Sequence, residues 1–164
     1  MKKYAFTLSA LGAVLLLWSF SSAHAAGGAK EEITALEHKL LAATTADEAL
    51  AFMDGKSIIL YDYVAPLQFS GMKAVRARFK EFFNSASDVK GDASSLNVVV
   101  DGKVGVAHSL QHFTWKDKDG KPGEGTFRVT NCWHKGKDGW KIFHSHVSFP
   151  LNAETGKAEM NLKE

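Results

Sequence analysis

The chain has 164 residues, enough for one domain, with 20 basic side chains, 18 acidic ones and a single cysteine. Leaving out Lys2 and Lys3, which belong to the leader described below, reduces the 20 basic residues to 18, and the body of the chain is then formally neutral. That balance excludes binding to nucleic acid through phosphate electrostatics, and a lone Cys132 excludes an intrachain disulfide.

The first 25 residues read as a signal peptide rather than as part of the fold. Lys2 and Lys3 form a basic start, Ala5 to Phe20 an apolar core, and Ala23-His24-Ala25 a small-residue cleavage pattern. The apolar run is shorter than the ~20 residues of a spanning helix. Export to the periplasm or the medium is expected, with no membrane attachment after cleavage. In that oxidising compartment Cys132 reads as a buried, inert thiol.

Ala29 to Ala43 predicts an amphipathic helix, with Ile33, Leu36, Leu40 and Leu41 inward and Lys30, Glu31, Glu37 and Lys39 in water. Thr45 and Glu48 form a capping box for a short second helix that runs to about Met53. Ser57 to Val64 predicts a strand in which Asp62 interrupts an apolar and aromatic run, and Pro66 ends it. Gly71 opens a third helix to about Ser85. Met72, Val75, Phe79, Phe82 and Phe83 form its apolar side, while Lys73, Arg76, Arg78, Lys80 and Glu81 are assigned to water.

Asp88 to Ser94 reads as a polar loop. Beyond it the hydrophobic period changes to two: Leu96–Val100, a turn at Asp101-Gly102, Lys103–Lys116, Glu124–Lys135, a turn at Gly136–Gly139 and Trp140–Phe149. Gly105 marks a place where the long strand can bend. The polar residues 151–164 are expected to fray. Three helices followed by long antiparallel strands define an α+β domain over residues 26–150, a strongly curved sheet wrapped on the helices with a cavity at its open end.

Three stretches carry a resemblance to a known family. They are Leu60-Tyr61-Asp62 followed by Gly71, Phe79 and Phe82-Phe83; Trp133-His134-Lys135 before Asp138-Gly139-Trp140; and Ile142 to Ser148. Together they resemble the nuclear transport factor 2-like superfamily, its SnoaL-like and ketosteroid-isomerase-like members, and the association domain of calmodulin-dependent kinase II. The resemblance implies a cone-shaped, cystatin-like fold, a common tendency to form dimers through the outer sheet face, and an acidic residue in the cone as acid or base. The kinase association domain lines its pocket with arginines. Two matching positions here are Asn131 and Val147, which lack that charge. One scaffold of this kind hosts isomerases, cyclases, dehydratases, binders and assembly domains, so it implies no single chemistry.

Asp62 is the candidate acid or base, because a carboxylate among Ile59, Leu60, Tyr61 and Tyr63 would be partly desolvated. His144 and His146 are candidate assistants. They fall two apart on the last strand and share a face with Trp140, Ile142 and Ser148 if that strand is regular. His108 and His112 share a face of their own. His-x-His without HExxH or a cysteine cluster assigns no metal, and no cofactor is expected. Candidate ligand contacts are Tyr61, Tyr63, His112, Arg128, Asn131, Trp133, Trp140 and Ser148. Arg128 either pairs with Asp62 or forms an exposed cross-strand bridge.

The last hairpin offers two faces. Phe127, Val129, Asn131 and Trp133, with Phe143, Ser145, Val147 and Phe149, suit a core or cavity wall. Arg128, Thr130, Cys132 and His134, with Trp140, Ile142, His144, His146 and Ser148, are amphipathic. The expected function is binding of a small apolar or aromatic molecule, with proton transfer of the isomerase, cyclase or dehydratase type as its catalytic form. The alternative is a non-enzymatic homodimerisation or interaction domain.

Overall fold

The computed structural model describes residues 14–162, with side chains from residue 27 onward. The elements are α1 (Val14–Leu41), α2 (Ala46–Leu50), β1 (Ile59–Tyr61), β2 (Phe69–Ser70), α3 (Gly71–Ser85), β3 (Ala86–Asp101), β4 (Val104–Asp117), β5 (Pro122–Gly136) and β6 (Gly139–Ser148). They form an α+β fold around one six-stranded sheet, in the order β2-β1-β6-β5-β4-β3. Residues 1–13 of the expected leader lie outside the described residues, and α1 runs unbroken through the expected cleavage site at Ala25. Among the described residues no helix is long and apolar enough to cross a membrane.

Local chemistry accounts for the short elements. Glu48 N–H donates to the Thr45 hydroxyl and Thr45 N–H to the Glu48 carboxylate, so the capping box closes both ways and starts α2. Gly71 has φ +79, a left-handed backbone that glycine reaches without strain, and it joins β2 directly to α3. β2 is an element the sequence reading lacked. It pairs antiparallel with β1, which in turn pairs parallel with β6.

β3 departs most from expectation. The polar stretch read as a loop is strand, and β3 pairs with β4 along its whole length from Ala86↔Asp117 to Asp101↔Val104. Two register shifts interrupt it, between Ser87 and Lys90 and between Ser94 and Asn97. Asp88 (φ 52) and Ser95 (φ 53) take the left-handed conformation at those shifts. Each bulge bends the strand and adds twist, and the ladder has no register shift at Gly105. Gly105 has a different use. A Cβ there would collide with Ile33 of α1, so the glycine lets helix and sheet approach closely.

The core lies between the helices and the concave sheet face. Ile33, Ile58, Val75, Trp133 and Ile142 are at most 1% exposed, the condition under which each large side chain contributes about 2 kcal/mol by leaving water. The C-terminal stretch, expected to fray, folds back instead: Thr126 N–H donates to Met160 O at 2.8 Å and Glu159 N–H to Pro150 O at 2.9 Å.

Candidate functional site

A cavity of about 510 Å³ opens between α1, α3 and the concave sheet face. Its walls are largely apolar and aromatic, with Leu40 from α1, Phe79 and Phe83 from α3, and Phe113, Trp115 and Phe127 from the sheet. The size lies within the roughly 300–1,000 Å³ usual for small-molecule sites, which are mostly apolar with a few placed polar groups.

The first polar group is an ion pair. β1 ends at Tyr61, whose side chain turns to the convex face, and alternation sends Asp62 inward. Arg78 Nε donates to Asp62 Oδ2 at 2.6 Å, and both side chains are almost fully buried, 8% and 7% exposed. Tyr63 N–H donates to the other oxygen, Oδ1, at 2.7 Å. The Arg78 carbon lies 5.7 Å from the Tyr63 ring centre and 6.0 Å from that of Phe82, close enough for cation–π attraction. Burial pushes the Tyr63 phenol up, against a smaller opposing pull from the Arg78 charge, so the phenol stays a neutral donor.

This corrects the assignment of Arg78 to the wet face of α3. It follows Val75 by three residues and precedes Phe82 by four, which places it on the apolar stripe by helical spacing alone. Its charge masked that position. Arg128, the other arginine considered as a partner for Asp62, lies exposed on the convex face and donates to Phe149 O at 2.8 Å.

The second polar group lies on the sheet side. Glu37 of α1 is 1% exposed, not in water, and its carboxylate accepts from Trp133 Nε1 at 2.7 Å and from Asn131 Nδ2 at 3.0 and 3.1 Å. Glu37 follows Ile33 by four and precedes Leu40 by three, so it too occupies an apolar stripe. Desolvation raises its pKa, and the two donors offset this only in part. Beside it, Gln111 Nε2 donates to Ser109 Oγ at 3.2 Å, and Gln111, Asn131 and Ser145 all reach the cavity wall.

A bulge in the β5–β6 ladder decides which side of the hairpin faces in. Cys132 pairs with His144 and Trp133 with Ile142, leaving Phe143 as the extra residue. The parity of β6 therefore switches there. Trp140 and Ile142 point into the core, and so do Ser145 and Val147, whereas His144, His146 and Ser148 point to the convex face. The shared face expected for Trp140, Ile142, His144, His146 and Ser148 does not exist.

The predicted site residues separate accordingly. Asp62, Tyr63 and Asn131 line the cavity. Trp133 and Trp140 are core, their indole N–H groups bound to Glu37 and Glu32. Tyr61, His112, Arg128, His144, His146 and Ser148 sit on or at the rim of the convex face. There Tyr61 stacks edge-on against His144 at 4.8 Å and His146 at 5.9 Å, and His144 Nδ1 lies 3.1 Å from Ile59 O. His112 Nδ1 lies 3.2 Å from Thr126 Oγ1. Cys132 shares that face, and partial burial pushes its thiol up, away from the reactive thiolate. Arg78, Glu37, Ser109 and Gln111 are the polar residues that sequence reasoning missed. Among the described residues no three His, Cys, Asp or Glu side chains are grouped to hold a metal ion.

Comparison with known proteins agrees with the architecture. An NTF2-like protein of unknown function from Pseudomonas putida superposes with a TM-score of 0.74 at 25% identity, covering 84% of this chain and 98% of that one. A provisional ketosteroid isomerase from Parabacteroides distasonis gives 0.62 at 22% identity, covering 74% and 87%. The association domain of C. elegans CaMKII gives 0.59 at 16% identity, covering 76% and 98%. The last two are likenesses of fold alone. No curated protein compared with the chain is significantly similar to it. The family model of the SnoaL-like domain matches residues 31–152, most of the chain, and the protein belongs to that family.

Proposed function

We propose that the protein is an exported binder of a small, largely apolar molecule, held in the cone between α1, α3 and the concave sheet face. One observation carries the reading: a cavity of about 510 Å³ whose aromatic walls meet a buried Asp62–Arg78 pair. A buried ion pair is weak evidence for stability, since desolvation offsets much of its attraction. Its place at the wall of an apolar cavity supports a role toward a ligand. Export rests on Lys2-Lys3, the apolar run Ala5 to Phe20 and Ala23-His24-Ala25.

If the cone is catalytic, proton transfer centres on Asp62, with the neutral Tyr63 phenol as the second polar group in reach and no part for His144 or His146. The test is native mass spectrometry of the protein purified from its host, followed by identification of any retained small molecule. A stoichiometric ligand lost in a Phe79→Asp variant supports the reading. A protein that stays empty and is not stabilised by any aromatic or alicyclic compound in a thermal-shift panel contradicts it.

The convex face favours a second use. Val99 is 61% exposed, Val104 48% and Tyr61 41%, an amphipathic surface suited to a homodimer. A sedimentation profile showing only monomer at high concentration removes that reading.

A further inference from the structure

The two walls of the cone differ in hydrogen-bonding sense, and the difference narrows the ligand class. Arg78 uses Nε on Asp62 and Nη2 on Tyr63 Oη at 3.4 Å, and Nη1 has no partner among the described residues. Across the cavity Asn131 commits its amide N–H group to Glu37, so its carbonyl oxygen faces away from Glu37. Gln111 gives an amide N–H to Ser109, and among the described residues neither its carbonyl oxygen nor the Ser145 hydroxyl has a hydrogen-bond partner. Yet among the described residues every fully enclosed side-chain N or O atom has a partner. These four groups therefore reach accessible space, and all belong to residues that line the cavity. The helix wall donates, and on the sheet wall the Asn131 and Gln111 carbonyl oxygens accept while the Ser145 hydroxyl can do either.

We propose, resting on the reading of the cone as a ligand site, that the ligand is an uncharged, mainly apolar ring compound with a carbonyl-type oxygen at one end, bound by Arg78, and a hydroxyl or amine donor at the other, bound by Asn131, Gln111 and Ser145. Asp62 already neutralises Arg78, so the helix wall offers donors without net charge. That disfavours an acidic ligand, whose carboxylate would sit beside Asp62. Glu37 is a positioning residue: as an acceptor it dictates which end of the Asn131 amide faces the ligand.

The probes are four naphthalenes: an ethyl derivative, a methyl ketone, the same ketone with a hydroxyl on the far ring, and the hydroxy-carboxylate analogue. Binding to the full chain is read by quenching of Trp115 and the other tryptophans. The expected order is hydroxy-ketone tightest, ketone weaker by about tenfold, and the ethyl compound weaker again by about tenfold, the scale of one well-formed hydrogen bond to a charged or buried group. The double variant Asp62→Leu/Arg78→Met removes both charges together, so a misfolded single variant does not confuse the result. It should erase the ketone's advantage over the ethyl compound and keep the hydroxyl's. Glu37→Gln should shrink the hydroxyl's advantage, because the Asn131 amide is then free to turn its N–H group inward while Gln111 and Ser145 keep their places.

Equal affinity for the ethyl compound, ketone and hydroxy-ketone overturns the inference while leaving the cone as an apolar site. Tightest binding of the carboxylate overturns the uncharged class. Failure of all four to bind folded protein contradicts the ligand-site reading itself.

Discussion

The two faces of the β5–β6 hairpin carry different numbers of polar side chains, few on the concave face and many on the convex one, and use them differently. On the concave face Asn131 and Ser145 are 2% and 6% exposed, and Asn131 is held by a carboxylate from another element. On the convex face His144, His146 and Arg128 make short-range contacts with Ile59, Tyr61 and Phe149 beside solvent. Burial makes the difference. A polar group without water must be paired or it costs about 1–3 kcal/mol, so the concave face is strictly specified, whereas the convex face tolerates change.

The contrast can be broken in order of expected effect. Removing one partner of the buried pair, as in Asp62→Leu, leaves the Arg78 charge uncompensated and should cost about 3–5 kcal/mol of unfolding free energy by chemical denaturation. Removing both, as in Asp62→Leu/Arg78→Met, should cost markedly less than the single change. If the single variant is as stable as the parent, the pair is not buried in solution. Next, Glu37→Leu should cost about 2–4 kcal/mol, because Trp133 Nε1 and Asn131 Nδ2 lose their acceptor, less what is recovered from no longer burying a charge. The smallest effect belongs to the convex face: His146→Ala should change stability by no more than about 0.5 kcal/mol.

Glu37 also has a signature in pH. Its folded pKa lies above the ordinary 4.5 because burial penalises the charge. Between 4.5 and the raised value the folded protein keeps a proton that the unfolded chain releases. The stability assignable to Glu37 therefore falls as pH rises through that window, and Glu37→Gln should flatten the fall. Glu32 and Asp54 behave oppositely. Hydrogen bonds, from Lys135 to Glu32 and from the Lys56 backbone to Asp54, lower their pKa values, so their stabilisation is present above the ordinary carboxylate range and lost on acidification. Urea titrations of parent and Glu37→Gln across the window measure the difference.

Much of the fold was legible because periodicity survives in the sequence: the α2 capping box, the α3 stripe and the alternation in β4 and β5 all reappear in space. The site was less legible for three physical reasons. Arg78 and Glu37 stand on apolar stripes, where spacing implies burial but charge implies water, and each is reconciled by a partner distant in sequence. The Phe143 bulge is a tertiary choice that turns Trp140 and Ile142 in and the two histidines out, and residue identity does not announce it. The Asp88–Ser94 stretch is polar because β3 lies at the sheet edge, so it lacks the alternation that marks an inner strand. Asp62 was found because it interrupts an apolar strand, a local signal that needs no partner to be seen.

The most direct test compares the two faces by ligand affinity. Binding of the hydroxylated naphthyl ketone should fall about tenfold or more in Asp62→Leu/Arg78→Met and stay within about twofold of the parent in His144→Ala/His146→Ala. The opposite result, affinity lost with the two histidines and kept without the ion pair, would place the working surface on the convex face and contradict the account.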